Sequence, residues 1–149
     1  MGQMGGQSTR LGCEMTRHYL VPGQPVSLPR QRFNRHTGRS YKPTPYLKRA
    51  QKDRCILKAA HLGGPVDGPV KIWIEFHSKR PQRLCRKSSP EEDQPRPVRP
   101  DIDNLVKHVL DICNGILFVD DARVVYLSAS DRYCAKGVPP HTTITLKEV

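Results

Sequence analysis

Residues 99–107 of this chain read Arg-Pro-Asp-Ile-Asp-Asn-Leu-Val-Lys, and a pair of aspartates follows at 120–121. Asp101 and Asp103 are two residues apart, so on extended backbone both carboxylates point to the same side. Apolar residues then recur at three- and four-residue steps, which predicts a helix that begins near Asp103 and has one broad apolar face. The apolar positions are Leu105, Val106, Val109, Leu110, Ile112, Cys113, Ile116 and Leu117.

Each of these aspartates alone has an ordinary structural interpretation. Asp103 could be a helix N-cap, Asp101 a solvated loop residue, and the pair at 120–121 a common turn. Together they are four of only 14 acidic residues in a chain of net charge +11. Three carboxylates that meet at one point repel each other unless a cation is bound, and oxygen-only ligands suit Mg²⁺ or Mn²⁺ rather than zinc. The cluster therefore predicts a divalent-metal site, provided that tertiary structure brings residues 120–121 back toward the helix start.

The motif Asp-Ile-Asp-Asn-Leu-x-Lys, followed by Leu-Asp-x-x-Asn-Gly and Asp-Asp-Ala-x-Val, resembles the RusA family of Holliday junction resolvases. The resemblance is densest from Pro100 to Tyr126. It implies a small homodimeric endonuclease that depends on Mg²⁺, for which Mn²⁺ can substitute, and that cuts four-way DNA junctions symmetrically in recombination and repair. Carried over by position, the implied catalytic residues are the metal-binding Asp101, Asp103 and Asp121 and the lysine Lys107.

The predicted mechanism follows from these roles. Mg²⁺ held by the three aspartates lowers the pKa of a bound water and stabilises charge on the leaving oxygen. Lys107 lies one helical turn beyond Asp103, where its ammonium can stabilise the developing charge or orient the water. Asn104 and Asp120 are predicted to support the ligands. Two alternatives stay open: a metal-dependent nuclease of other branched or single-stranded DNA, and a non-catalytic protein that binds DNA structures.

Composition limits the partners of this protein. The 149 residues fit one domain, and a net charge of +11 with a pI near 9.8 favours nucleic acid over an acidic membrane. No apolar run of about eighteen residues and no secretory signal stands out, so no membrane is expected. The five cysteines form no Cys-x-x-Cys pair, which predicts neither a zinc site nor a disulfide framework. A reducing compartment is therefore expected, and the family resemblance implies the cytoplasm of a bacterial or phage-infected cell, at the nucleoid.

Basic residues interleaved with aromatics between Pro25 and Arg54 predict a surface that contacts DNA phosphates and bases. A solvated basic loop is the alternative. Two further arginines flank the acidic motif, where they are expected to hold phosphates beside the metal. His108 follows Lys107 and is interpreted as a surface residue, because a lone histidine rarely binds metal without partners. The predicted DNA-binding residues are Arg30, Arg32, Arg35, Arg39, Lys42, Arg96 and Arg99.

The remaining pattern predicts the architecture. Residues 1–16 are expected to form a flexible tail and residues 17–149 the endonuclease domain, in which residues 79–99 are a proline- and charge-rich loop. A helix is predicted over 45–60 in addition to the one near Asp103. Alternating apolar residues predict strands near 18–21, 70–76, 122–130 and 141–148. We therefore predict an α+β fold with a small mixed or antiparallel sheet packed against helices.

Overall fold

The computed structural model describes residues 15–149, so the predicted tail lies outside the described residues up to residue 14. Thr16, the last residue of that tail, begins the first strand. The elements in chain order are β1 (Thr16–Pro22), β2 (Arg32–Asn34), β3 (Arg39–Tyr41), α1 (Thr44–Ala60), β4 (Val70–Ser78), β5 (Gln94–Pro95), α2 (Ile102–Cys113), β6 (Val124–Tyr133) and β7 (His141–Glu148).

Five of these strands form one sheet in the order β1-β7-β4-β6-β5. β4 and β6 are parallel, and the other neighbours in the sheet are antiparallel. β2 and β3 form a separate hairpin. The parallel pair requires a crossover, and the connection from β4 to β6 contains the proline-rich loop, β5 and α2. The predicted α+β fold with a mixed sheet is therefore confirmed.

The core lies between one face of the sheet and the two helices. In β4, Val70, Ile72, Ile74 and Phe76 are buried, and they share one cluster with Leu57 of α1 and with the apolar face of α2. This alternation arises because successive strand residues point to opposite faces. Glu75, on the other face, lies within 3.4 Å of the Thr143 hydroxyl. It is therefore on the opposite side of the sheet from α2.

A buried polar network joins the two helices, and it corrects the interpretation of His108. His108 is 3% exposed. Its Nε2 lies 3.0 Å from Asp53 Oδ2, its Nδ1 lies 2.9 Å from the Tyr46 hydroxyl, and Arg49 Nε donates to Asp53 Oδ1 at 2.9 Å. The surface prediction failed because it considered only the neighbouring Lys107, whereas the partners are about sixty residues away in sequence. Among residues 15–149, no helix is long and apolar enough to cross a membrane.

A buried guanidinium, that of Arg80, holds the proline-rich loop against the sheet. Arg80 is 7% exposed, and its guanidinium donates to the carbonyls of Cys134, Leu84, Pro90 and Glu92. The loop contains only a short 3₁₀ turn and β5 as regular structure. β6 continues to Tyr133, three residues beyond the predicted end of this strand. That extension brings Asp131 into the sheet, beside the segment that leads to α2.

Candidate active site

The start of α2 carries the first two predicted metal ligands. Asp101 is the last extended residue before the helix, with φ −69° and ψ 146°, and its side chain makes no capping hydrogen bond. Asp103 lies in the first turn of α2, so the extended geometry expected for both residues holds only for Asp101. Both residues are exposed. Carboxylates at this end of a helix are favoured by the unpaired backbone N–H groups and the helix dipole, and both are accessible to a ligand.

Lys107 accompanies Asp103 on the same side of the helix. Its Nζ lies 3.5 Å from Asp103 Oδ2, the spacing expected of residues four apart. Both side chains are more than half exposed. A mobile ammonium beside an accessible carboxylate can interact with an incoming phosphate, so the structure brings these two predicted catalytic groups together.

The N-terminal basic segment is attached to the same end of α2. The backbone N–H of Leu28 donates to the carbonyl of Asn104 at 3.1 Å. Arg30 follows two residues later and is exposed, as is every residue of β2 and β3 except Asn34. The hairpin also exposes the Phe33 ring. The predicted DNA-binding residues Arg30, Arg32, Arg35 and Arg39 therefore belong to one exposed basic and aromatic element.

Two of the other predicted DNA-binding residues already have protein partners. Lys42 Nζ lies 3.6 Å from Asp111 Oδ2 and 5.8 Å from the centre of the Tyr46 ring. Arg96 has a buried side chain that pairs with Asp131. Arg99, in contrast, is exposed. Of the two arginines before the acidic motif, Arg99 is the one whose side chain faces solvent.

The aspartate pair at 120–121 lies at the other end of α2. Asp120 Oδ1 accepts a hydrogen bond from the Ala122 N–H at 3.1 Å and so caps a short 3₁₀ turn. A hydrogen bond between the two carboxyl groups lowers the pKa of Asp120 and raises that of Asp121. The negative charge of Asp111, in the last turn of α2, also raises the pKa of Asp121. The Gly115 N–H donates to the Phe118 carbonyl at 2.8 Å, so the chain turns directly after α2, and Asp121, three residues beyond Phe118, lies near the C-terminal end of the helix.

The third predicted ligand is thus separated from the first two by the length of α2. A helix of 12 residues is about 18 Å long, far beyond the reach of a shared metal ion. Within residues 15–149, no three His, Cys, Asp or Glu side chains are arranged to hold a metal. The carboxylate-only donors at Asp101 and Asp103 have the chemistry that Mg²⁺ prefers. One chain supplies this pair at one end of α2, and Asp121 at the other.

Sequence reasoning missed Asp131. Its Oδ2 accepts from Arg96 at 2.8 Å, whereas its Oδ1 is buried and accepts no hydrogen bond from the described residues. Alternation along β6 could have identified it, because Leu127, Ala129 and Asp131 share the core side of the sheet. An acid on such a face needs a partner. The prediction ended this strand at residue 130 and therefore left Asp131 outside it.

Comparison with known proteins identifies the family of this chain. The family model for endodeoxyribonuclease RusA matches residues 22–147. The chain is also 28% identical over 138 residues to the uncharacterized protein YqaN of Bacillus subtilis (strain 168), an alignment that covers 88% of this chain and 95% of that protein. RusA nucleases resolve Holliday junctions in DNA and are generally dependent on divalent metals. Because the family model matches most of the chain, this protein belongs to the RusA family of endodeoxyribonucleases.

Proposed function

We propose that this protein is a Mg²⁺-dependent homodimer that resolves four-way DNA junctions by two symmetric cuts, in DNA recombination and repair at the nucleoid. The observation that carries the proposal is the exposed Asp101, Asp103 and Lys107 group at the start of α2. Membership of the RusA family indicates the class of reaction, and these side chains have the chemistry that phosphodiester cleavage needs.

Asp101 and Asp103 would hold Mg²⁺, and Asp121 would complete the ligand set. When bound, Mg²⁺ makes a water nucleophilic near neutral pH and neutralises charge on the phosphate. Lys107 is 3.5 Å from Asp103, so its ammonium can stay beside the scissile phosphate and stabilise negative charge as the bond to the leaving oxygen breaks. Asn104 and Asp120 would contact the ligand carboxylates on the side away from the metal and so fix their orientation.

The separation of Asp121 from Asp101 supports the proposal of a two-fold dimer. The N-terminal end of α2 lies beside residues 129–131 of β6, and its C-terminal end lies near Asp121, which precedes β6. The helix and the strand therefore run in opposite directions. A two-fold axis across the middle of this surface brings the Asp121 end of one copy to the Asp101 end of the other. Each site would then take two carboxylates from one protomer and the third from its partner.

Exposed apolar side chains on this surface are available for a second copy. Leu127 pairs with Ile72 on the core side of the sheet, yet it is 41% exposed. Val125 is 62% exposed and Ile102, in the first turn of α2, is 40% exposed. Covering such side chains is favourable by about 25 cal/mol for each Å² of apolar surface removed from water. We expect Leu127→Glu to produce a monomer in analytical ultracentrifugation, whereas Leu62→Glu, at an exposed position beyond α1, leaves the dimer intact.

The basic hairpin and Arg99 would bind the arms of the junction. Arg30, Arg32, Arg35 and Arg39 lie on or beside exposed strands that contribute nothing to the main core. Each phosphate contact releases counterions, so binding should weaken steeply as salt is raised. Two hairpins on a two-fold dimer would engage opposite arms of a substrate that itself has two-fold symmetry.

The experiment is to incubate the purified protein with a labelled four-way junction and with a linear duplex of matched sequence, in Mg²⁺ and in EDTA. We expect paired nicks in the junction alone, abolished by EDTA and by Asp103→Asn, with junction binding retained. Equal cutting of the duplex would favour a general metal-dependent nuclease. Tight binding without any cut in Mg²⁺ would contradict the enzymatic proposal and leave a DNA-structure-binding protein.

A further inference from the structure

The turn that leads into Asp101 is held together by one buried guanidinium. The Nη1 of Arg96 donates to Asp131 Oδ2 at 2.8 Å and to the Val98 carbonyl at 3.2 Å, and its Nη2 donates to the Arg99 carbonyl at 2.6 Å. The backbone N–H of Arg96 also donates to the Asp131 carbonyl at 3.2 Å. One side chain therefore fixes the backbone at residues 98 and 99, immediately before the Pro100-Asp101 step.

Asp131 is the anchor of this arrangement. Its side chain is 9% exposed and that of Arg96 is 8% exposed, so the charges of both groups are largely removed from water. Burial raises the pKa of the Asp131 carboxyl, and the Arg96 guanidinium opposes that rise. Asp131 lies on β6, which is held in the five-stranded sheet by pairing with β4 along its whole length. The turn is thus tied to a strand of the main sheet.

The same residues border an open cavity of about 570 Å³ that extends from Arg96 to Ile102 on one side and over residues 129–131 on the other. Asp101 lines this cavity together with Asp131. The orphaned Oδ1 of Asp131 has no donor among the described residues. A buried carboxylate with one unsatisfied oxygen is costly to maintain, and such groups tend to be found where they serve function.

We propose that Arg96 and Asp131 are positioning residues, which fix the Val98-Arg99 backbone and thereby aim the Asp101 carboxylate at the metal. This inference rests on the proposed function, because it assumes that Asp101 binds the metal. It also changes the interpretation of Arg96, which the sequence assigned to DNA phosphates. An arginine that donates to a carboxylate and two carbonyls has few donors left for a phosphate.

The fixed, planar arrangement of N–H donors on the guanidinium is essential to this role. A lysine at position 96 would keep a positive charge beside Asp131, but a single ammonium cannot reach both carbonyls and the carboxylate with the same geometry. Arg96→Lys should therefore preserve the fold while loosening the turn. The double variant Arg96→Met/Asp131→Leu removes the ion pair altogether, and apolar replacement of a buried pair is often tolerated by the fold.

The test measures Mn²⁺ binding to the DNA-free protein by electron paramagnetic resonance, together with junction affinity in EDTA and the unfolding temperature. We expect about a tenfold weaker Mn²⁺ affinity in Arg96→Lys and in the double variant, as for other residues that orient metal ligands. The matched control is Arg132→Lys, at the next position of β6, where the side chain pairs with Asp93 at the surface at 3.4 Å. The control should bind Mn²⁺ like the wild type.

Three results would overturn the proposal. Unchanged Mn²⁺ affinity with a lower unfolding temperature would make the pair purely structural. Unchanged Mn²⁺ affinity with junction affinity reduced tenfold in EDTA would return Arg96 to the DNA interface. A wild-type protein that binds no Mn²⁺ would contradict the metal site itself, and it would thus identify a failure of the proposed function rather than of the positioning role alone.

Discussion

The two ends of α2 carry predicted metal ligands, and the structure holds them in different ways. At the N-terminal end, Asp101 follows a turn that Arg96 ties to Asp131 in the sheet. At the C-terminal end, Asp120 is held by a local hydrogen bond to Ala122, and Asp121 is exposed. The N-terminal end is held by contacts to a strand that is distant in sequence, whereas the C-terminal end is held by contacts within a few residues. This difference suggests that one half of the site is preorganised in each protomer and that the other half is completed by assembly.

The largest effect on cleavage is expected at the N-terminal end of α2. Asp103→Asn removes one ligand charge with little change in shape, and we expect junction cleavage to fall by about 10³-fold or more, since a bound metal contributes several kcal/mol to such reactions. Single-turnover cleavage of the labelled junction measures this loss. Glu148→Gln makes the equivalent chemical change on β7, at an acid that pairs with Arg17, and should stay within about threefold of the wild type. Equal losses in the two variants would contradict the assignment of Asp103.

At the C-terminal end of α2, substitutions of the neighbouring residues Asp120 and Asp121 can be compared. Asp121→Asn should reduce cleavage about as strongly as Asp103→Asn, because both would be metal ligands. Asp120→Asn keeps the oxygen that accepts from Ala122 and should cost only about tenfold, the smaller effect of a residue that orients a ligand. Cleavage rates measured over a range of Mg²⁺ concentrations separate the two. A larger loss in Asp120→Asn would exchange their roles.

Lys107 is expected to have a smaller effect than the ligands. Lys107→Met keeps much of the aliphatic stem and removes the ammonium, so we expect cleavage to fall about 10²-fold, the usual cost of losing one group that stabilises developing charge. The Mn²⁺ affinity of the DNA-free protein should change little. A loss of metal binding comparable to that of Asp103→Asn would show that Lys107 acts by organising the ligands instead.

The smallest predicted effect concerns the network that joins α2 to α1. Burial, with the nearby charges of Asp111 and Asp53, raises the pKa of Tyr46 from 10.0 to about 12. Between these values the unfolded chain loses the phenolic proton while the folded protein keeps it, so stability due to Tyr46 is complete below pH 10 and is lost as the pH rises toward 12. Tyr46→Phe should lower stability by about 1 kcal/mol at pH 8, through the lost hydrogen bond to His108.

Urea unfolding of wild type and Tyr46→Phe at pH 8 and at pH 11 measures this dependence. The variant should lose less stability than the wild type between the two values, because it lacks the titrating group. Parallel loss in both proteins would mean that Tyr46 does not control alkaline stability. Cleavage per folded molecule should be similar in both proteins at pH 8.

Local patterns predicted much of this molecule. Alternation in β4 and β7, the helical period of α2 and the glycine and proline breaks gave both helices and the four long strands to within a few residues, because each depends on neighbours in sequence. The short strands β2, β3 and β5 were not predicted. The order of the strands, the burial of His108 and the role of Asp131 depend on partners far along the chain. The partners of His108 are Asp53 and Tyr46 on α1. The spacing of apolar residues over 102–113 could not reveal a hydrogen-bond network whose other members lie on another helix.

Prediction of the site residues has the same limit, because it succeeds only where the residues are close in sequence. Asp101, Asp103 and Lys107 could be grouped from spacing alone, because a helix start fixes their relation. The position of Asp121 could not, since it depends on how the turn after α2 meets β6. A site within one chain requires the turn after α2 to return Asp121 to the helix start, but Asp121 lies near the other end of the helix. In the proposed dimer, the carboxylate that completes the metal site of Asp101 comes from a second copy.

The most direct measurement is a complementation assay with Asp103→Asn and Asp121→Asn, each inactive alone. The two variants are mixed, unfolded and refolded together so that protomers exchange, and junction nicking is measured in Mg²⁺. If the ligands come from two protomers, a mixed dimer has one site with both substitutions and one intact site, so nicking should return to about a quarter of the wild-type level, as single nicks. If all ligands came from one chain, both sites of every dimer would be damaged, and the mixture would stay inactive.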